Sequence, residues 1–121
     1  MQSKIDRIVQ ELNRCGADAV VLHAPQNRRY LTGLRTSAGV VAVTAQGEAV
    51  FAVDFRYITE ARQVLRTTPM DCRETSQEEA DHWIGAYLRD KGCEKVLIED
   101  QYLTMARVED LKERWGMELA G

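Results

Sequence analysis

The sequence predicts an α/β fold: a single domain with a mixed parallel/antiparallel sheet of about five to six strands flanked by helices. Three observations carry this. Short apolar stretches rich in valine alternate along the chain with stretches whose apolar residues recur at helical spacing. Ala49 to Val53 is an unbroken apolar run, as a central strand covered on both faces requires. Gly39 to Thr44 and Glu48 to Val53 are separated only by Ala45, Gln46 and Gly47, the spacing of a β-hairpin, which puts at least one antiparallel pair into the sheet.

Each element has a local reason. Ser3 to Asp6 reads as a capping box, Ile5, Ile8, Val9 and Leu12 follow helical spacing, and Gly16 is a helix stop. Ala17 to Ala24 is mostly apolar and valine-rich, a buried strand closed by Pro25. Gln26 to Gly33, QNRRYLTG, is short and polar at its start, which predicts about one to two helical turns ended by Gly33. A small-residue loop, Leu34 to Ala38, then leads into the hairpin. Ile58, Ala61 and Leu65 predict a helix from about Tyr57 to Leu65, stopped before Thr67, Thr68 and Pro69. Met70 to Arg73 is a short strand suited to a sheet edge. Ser76 with Glu79 reads as a second capping box, opening a helix that turns Ala80, Trp83, Ile84, Tyr87 and Leu88 inward and ends at Gly92. Val96 to Ile98 is a strand, and Thr104 caps a last helix with Val108, Leu111 and Trp115 inward and Gly116 as its stop. Met117 to Gly121 starts like one more strand, which makes a longer parent chain the expectation.

Composition narrows the function. The chain's 121 residues suffice for one core. Sixteen basic against nineteen acidic residues give a net charge of -3 without a Lys/Arg block, which disfavours nucleic acid as a partner. An apolar run of about twenty residues and a charged, apolar leader are both lacking, so no membrane association and a cytoplasmic location are expected. Cys15, Cys72 and Cys93 are widely spaced and read as reduced, mostly buried thiols. His23 stands alone, and His82 with Glu78 and Glu79 lacks a third ligand and reads as a solvated helix face, so no metal site is expected in this segment. Gly33 and Gly39 do not form a phosphate-cradling loop, and neither Ser37, Ser76 nor Cys72 with His82 carries a nucleophile motif. Glu99 and Asp100 read as a solvated loop or helix-capping charge rather than a cation site.

Asp54 and Arg56 follow a strand's end, and two readings stand. In an open α/β sheet that position faces the crevice where ligands bind. An Asp and an Arg two apart on a bend can also simply pair and fix the turn, the favoured reading.

Asn27, Tyr30, Leu31, Thr32 and Gly33 in QNRRYLTGL, then Asp54, Arg56 and Tyr57 in VDFRY, then Glu99, Asp100, Leu103 and Thr104 in EDQYLT together resemble, in order and spacing, the N-terminal domain of the creatinase/prolidase family. That family includes Xaa-Pro aminopeptidases and Xaa-Pro dipeptidases, and the resemblance spans essentially all of residues 1–121. It implies a mixed sheet flanked by helices, followed beyond residue 121 by a pita-bread metallopeptidase domain. That domain would hold two divalent metal ions (Mn, Co or Zn) and perform the catalysis, leaving this segment without catalytic residue, cofactor or activity of its own. The resemblance further implies a homodimer in which the N-terminal domain helps form the interface, and in which the loop after the YLTG-like motif approaches the partner's active site. Here that loop is Leu34 to Ala38. Its charged residue Arg35, with Thr36 and Ser37, is the candidate for contact with a proline-containing peptide substrate, since a guanidinium grips a carboxylate through two parallel hydrogen bonds. Two other functions are compatible with the resemblance: a non-catalytic, peptidase-like protein-interaction module and a creatinase-like amidinohydrolase.

Overall fold

The structure, a computed structural model, describes residues 3–121. Six strands form one sheet: β1 (Ala19–Leu22), β2 (Val40–Thr44), β3 (Ala49–Val53), β4 (Met70–Glu74), β5 (Lys95–Leu97) and β6 (Glu118–Ala120). Their spatial order is β4-β3-β2-β1-β5-β6. β2 is antiparallel to both neighbours, Val41 opposite Phe51 on one side and Leu22 on the other, while every other pairing is parallel. Five strands therefore point the same way and β2 alone points back. The Met70 strand is at an edge, as its weak apolar content predicts.

Every residue of β2 and β3 is buried, so both faces of the sheet need a cover. One face packs Val41, Val43, Phe51 and Val53 against α1 (Lys4–Cys15) and α3 (Ile58–Val64), through Ile5, Ile58 and Ala61. The opposite face packs Ala42, Val50 and Ala52 against α4 (Ala80–Asp90) and α5 (Met105–Trp115), through Ile84, Leu88, Leu111 and Trp115. The short α2 (Pro25–Thr32) follows β1 directly and lays Leu31 against the α1/α3 side.

Local signals set most boundaries. Ser3 Oγ accepts from the Asp6 N–H at 3.1 Å and Asp6 returns the bond to the Ser3 N–H at 3.3 Å, a complete capping box. Thr104 caps α5 by accepting from the Arg107 N–H at 3.1 Å. The hairpin turns through Ala45 to Gly47 with Gly47 at φ 94, the left-handed residue that a three-residue connection needs.

Four expectations change. β1 is shorter than Ala17 to Ala24, because the Ala17 N–H turns back to the Leu12 carbonyl of α1 and the His23 and Ala24 N–H groups are taken by the Glu99 side chain. Pro25 thus opens α2, where its missing N–H costs nothing, rather than closing a strand. Ser76 Oγ does accept from the Glu79 N–H, at 3.2 Å, but this closes a turn and the α-helix begins only at Ala80, with no side-chain cap. Trp83 is only half-buried and stacks on Tyr87 with ring centroids 5.5 Å apart, whereas Trp115, 1% exposed, is the indole of the core.

Trp115 fits because α4 presents Gly85 to it: a Cβ there would stand 2.4 Å from Trp115 Cδ1. The ring cannot swing aside freely, since its Nε1 donates to the Asp81 carbonyl at 2.8 Å. Gly85→Ala gains about 1 kcal/mol of helix propensity but overpacks a locked ring at about 1–3 kcal/mol, so it is expected to destabilise. Trp115→Ala is expected to cost about 3–5 kcal/mol, and Trp83→Ala clearly less. Urea unfolding of the three variants checks the ranking, and a stabilised Gly85→Ala protein would contradict this account of the α4–α5 contact.

Candidate functional site

Because five strands share one direction, the carboxyl ends of β1, β3, β4 and β5 meet on one side of the sheet, beside the start of β2. This is where side chains just past a strand face a crevice. A cleft of about 300 Å³ opens there, lined among others by His23 after β1, Asp54 after β3, Thr75 after β4, Arg28 of α2, Asp81 of α4 and Arg107 of α5.

Asp54 and Arg56 make the local pair that the sequence suggested. Arg56 donates from Nε to Oδ1 at 3.0 Å and from Nη2 to Oδ2 at 2.8 Å, and its backbone N–H adds a bond to Oδ1 at 2.9 Å. The guanidinium's hydrogen bonds, with the backbone bond beside them, hold the Asp54 carboxyl down at about 2 despite its burial. Arg56 also lies over the Tyr57 ring, 5.0 Å from its centroid.

Asp81 is the second anion of the cleft and is shared. Oδ1 lies 2.7 Å from His23 Nε2, and Oδ2 accepts from Arg107 Nη2. Burial pushes the Asp81 carboxyl up, but the bonds and charges of His23 and Arg107 together outweigh it and leave the group below its ordinary value. His23, read as an isolated histidine from the sequence, is thus buried against an acid 58 residues away.

Arg28 is the residue that sequence reasoning missed. It is 4% exposed, and its guanidinium donates from Nη1 to the His23 carbonyl and from Nη2 to the Thr36 carbonyl at 2.8 Å. Burial draws its pKa below the ordinary arginine value, with Tyr102, Glu99 and Tyr57 only partly opposing this. The one signal available was its spacing: Arg28 and Thr32 share a face of α2, and both are buried.

Of the other family-motif residues, Thr32 and Tyr57 brace the Leu34 to Ala38 loop, and Glu99 and Asn27 the entry of α2. Glu99, just past β5, accepts from the backbone N–H groups of His23 and Ala24, the two residues before α2, and from Asn27 Nδ2, and so ties the entry of α2 to the neighbouring strand rather than capping a helix. Thr32 Oγ1 donates to the Arg28 carbonyl at 2.8 Å and accepts from the Leu34 N–H at 3.1 Å. Gly33 ends α2 at φ 74, and Tyr30 lies exposed under Lys4 Nζ, 4.6 Å from the ring centroid. Beyond Gly33, Arg28 holds Thr36 by its carbonyl, and Tyr57 holds Ser37: the two hydroxyls are 2.7 Å apart and the Ser37 N–H donates to Tyr57 Oη at 3.2 Å. Those Ser37 bonds, side chain before backbone, draw the Tyr57 phenol below its ordinary value. Arg35 sits exposed between these fastened points. Of the three substrate-contact candidates, Arg35 and Ser37 are therefore exposed, while Thr36 Oγ1 is buried without a partner. Among the described residues no three His, Cys, Asp or Glu side chains come together as a metal site, and no helix is long and apolar enough to cross a membrane.

The Asp54 carboxyl, at about 2 when folded, contributes stability in full above its unfolded pKa of about 3.9 and loses it as the pH falls toward the folded value. Asp54→Asn is expected to flatten the stability-against-pH curve between those two points. Urea unfolding at stepped pH measures this, and parallel curves for the two proteins would mean the pair contributes nothing.

Comparison with known proteins agrees with this architecture. The family model described as the creatinase/prolidase N-terminal domain matches residues 4–120. A protein of Mycoplasma genitalium named as a Xaa-Pro aminopeptidase is 30% identical over 104 residues, covering 86% of this chain and 28% of its own. An uncharacterised Staphylococcus aureus peptidase is 30% identical over 117 residues, covering 90% and 30%. The chain thus spans under a third of these relatives. Among solved structures, the N-terminal domain of the cytoplasmic peptidase PepQ from Mycobacterium tuberculosis superposes with a TM-score of 0.84 at 23% identity, covering 96% of this chain and 89% of that one. The Xaa-Pro dipeptidase of Bacillus anthracis gives 0.84 at 24% identity, covering 96% and 32%. With a matching family model over nearly its whole length and the same mixed sheet, the chain belongs to the creatinase/prolidase N-terminal domain family.

Proposed function

We propose that this chain is the dimerisation and substrate-gating domain of a cytoplasmic, metal-dependent Xaa-Pro peptidase, a dipeptidase or an aminopeptidase. Family membership supports the parent activity, and relatives named for Xaa-Pro peptidases extend well beyond the matched region. In this reading a catalytic domain beyond residue 121 performs hydrolysis, and two divalent metal ions (Mn, Co or Zn) in that domain supply the Lewis acidity. This chain's own part is to position substrate.

The observation that carries the gating role is the anchoring of the loop. A loop free on both sides would pay conformational entropy each time it met a substrate. Here Thr36 is held by Arg28 and Ser37 by Tyr57, while Arg35 between Gly33 and Thr36 stays exposed. A preorganised guanidinium of this kind suits the carboxylate of a short proline-containing peptide bound in the partner subunit of a homodimer.

In the full-length enzyme, Arg35→Ala is expected to raise KM for short substrates by an amount equivalent to about 1.5–3 kcal/mol, with a smaller effect on kcat. Arg35→Lys is expected to fall between, since an ammonium keeps the charge but not the planar two-bond contact. Steady-state kinetics with a dimer check by sedimentation decides it. Equal KM values for three dimeric proteins would remove the gating role from Arg35.

A further inference from the structure

We propose that the cleft at the carboxyl ends of β1, β3 and β4 binds a small oxyanion, a carboxylate or inorganic phosphate, held by Arg28 and Thr75.

The charges in this cleft pair off until one remains. Asp54 is taken up by Arg56, and Asp81 by His23 and Arg107. Arg28 has only the His23 and Thr36 carbonyls; among the described residues it makes no ion pair, and its Nε has no partner. A guanidinium stays charged in a protein, so this is a buried cation whose direct hydrogen-bond partners are neutral and which Glu99 opposes only from a distance, an expensive arrangement that an anion in contact would relieve. Burial already pulls Arg28 below its ordinary pKa.

A second observation points to the same space. The buried atoms without partners include His23 Nδ1 and Thr75 Oγ1 as well as Arg28 Nε, and all three residues line the one cleft. His23 is 6% exposed and Arg28 4%. Native proteins leave few buried polar atoms unsatisfied; because His23 Nε2 donates to Asp81, its Nδ1 is an acceptor, and the donors that an oxyanion would complete are Arg28 Nε and Thr75 Oγ1. The guanidinium selects an oxyanion over a neutral molecule. The volume, about 300 Å³, is at the lower end of ligand clefts, which run from about 300 to 1,000 Å³, so the ligand is small.

The test is isothermal titration calorimetry of the 121-residue chain at low ionic strength with sodium acetate and with sodium phosphate, chloride serving as the control for general screening. One saturable site is expected for acetate or phosphate and not for chloride, and the tighter of the two identifies the oxyanion. Arg28→Met is expected to weaken binding by about tenfold or more. Because that variant also strips two carbonyls of their donor, Thr75→Val is the safer probe. Valine matches threonine in shape and replaces a hydroxyl that has no partner, so the fold should hold while binding weakens several-fold. No saturable heat with either anion, or equal affinity in parent and Thr75→Val, overturns the proposal. Since the measurement needs no catalytic domain, its failure leaves the gating role untouched.

Discussion

Every side chain of β2 and β3 is buried, from Val40 to Thr44 and from Ala49 to Val53. A strand that is apolar at successive positions cannot turn either face to water, so the sheet must acquire helices on both sides. Once α1 and α3 cover one face and α4 and α5 the other, polar chemistry is excluded from both faces. What remains open is the ends of the strands. The parallel alignment of five strands then gathers four carboxyl ends into one region, and it is there that Asp54, His23, Thr75 and Glu99 all emerge.

At that end several of the residues carrying the family resemblance are linked through hydrogen bonds that shape the Leu34 to Ala38 loop. Glu99 fixes the start of α2, which places Arg28; Arg28 holds Thr36; Ser37 is held by Tyr57, which follows the Asp54–Arg56 pair. Each link satisfies a polar group that would otherwise be buried or loose. The loop from Leu34 to Ala38 is therefore shaped from beneath, by residues on α2 and on the β3–α3 bend, while Arg35 stays on the outside. Arg28 borders both features of interest: Nη2 fastens the loop, and the residue is among those that line the cleft.

The two carboxylates of the cleft, Asp54 and Asp81, find their partners by different physics. Asp54 and Arg56 are two residues apart, and their planar groups meet in a two-bond fork that any bend of this sequence could form. Asp81 meets His23 and Arg107 only because α4, β1 and α5 converge, and its backbone carbonyl in turn anchors the Trp115 indole. Polar satisfaction and core packing thus meet in the first turn of α4. Gly85, one turn further on, is small because that same indole needs the space.

Elements whose causes are local were legible from the order of residues alone. Helical spacing, the Ser3 box, the Thr104 cap, the stops at Gly16, Gly33 and Gly116, the hairpin and the edge position of the Met70 strand each follow from residues a few places apart. The Asp54–Arg56 pair belongs to the same class. Tertiary structure decided everything that joins distant residues. Glu99 holds the backbone at the entry of a helix 75 residues away, His23 finds Asp81 across 58, and Trp115 rather than Trp83 fills the core because Gly85 leaves room for it. Arg28 shows the limit most sharply. An arginine's default is exposure, because burial strips a charge of water. Only the assembled sheet end, with the carbonyls of His23 and Thr36 converging on it, makes its buried position possible, and no pattern in the linear sequence encodes that convergence.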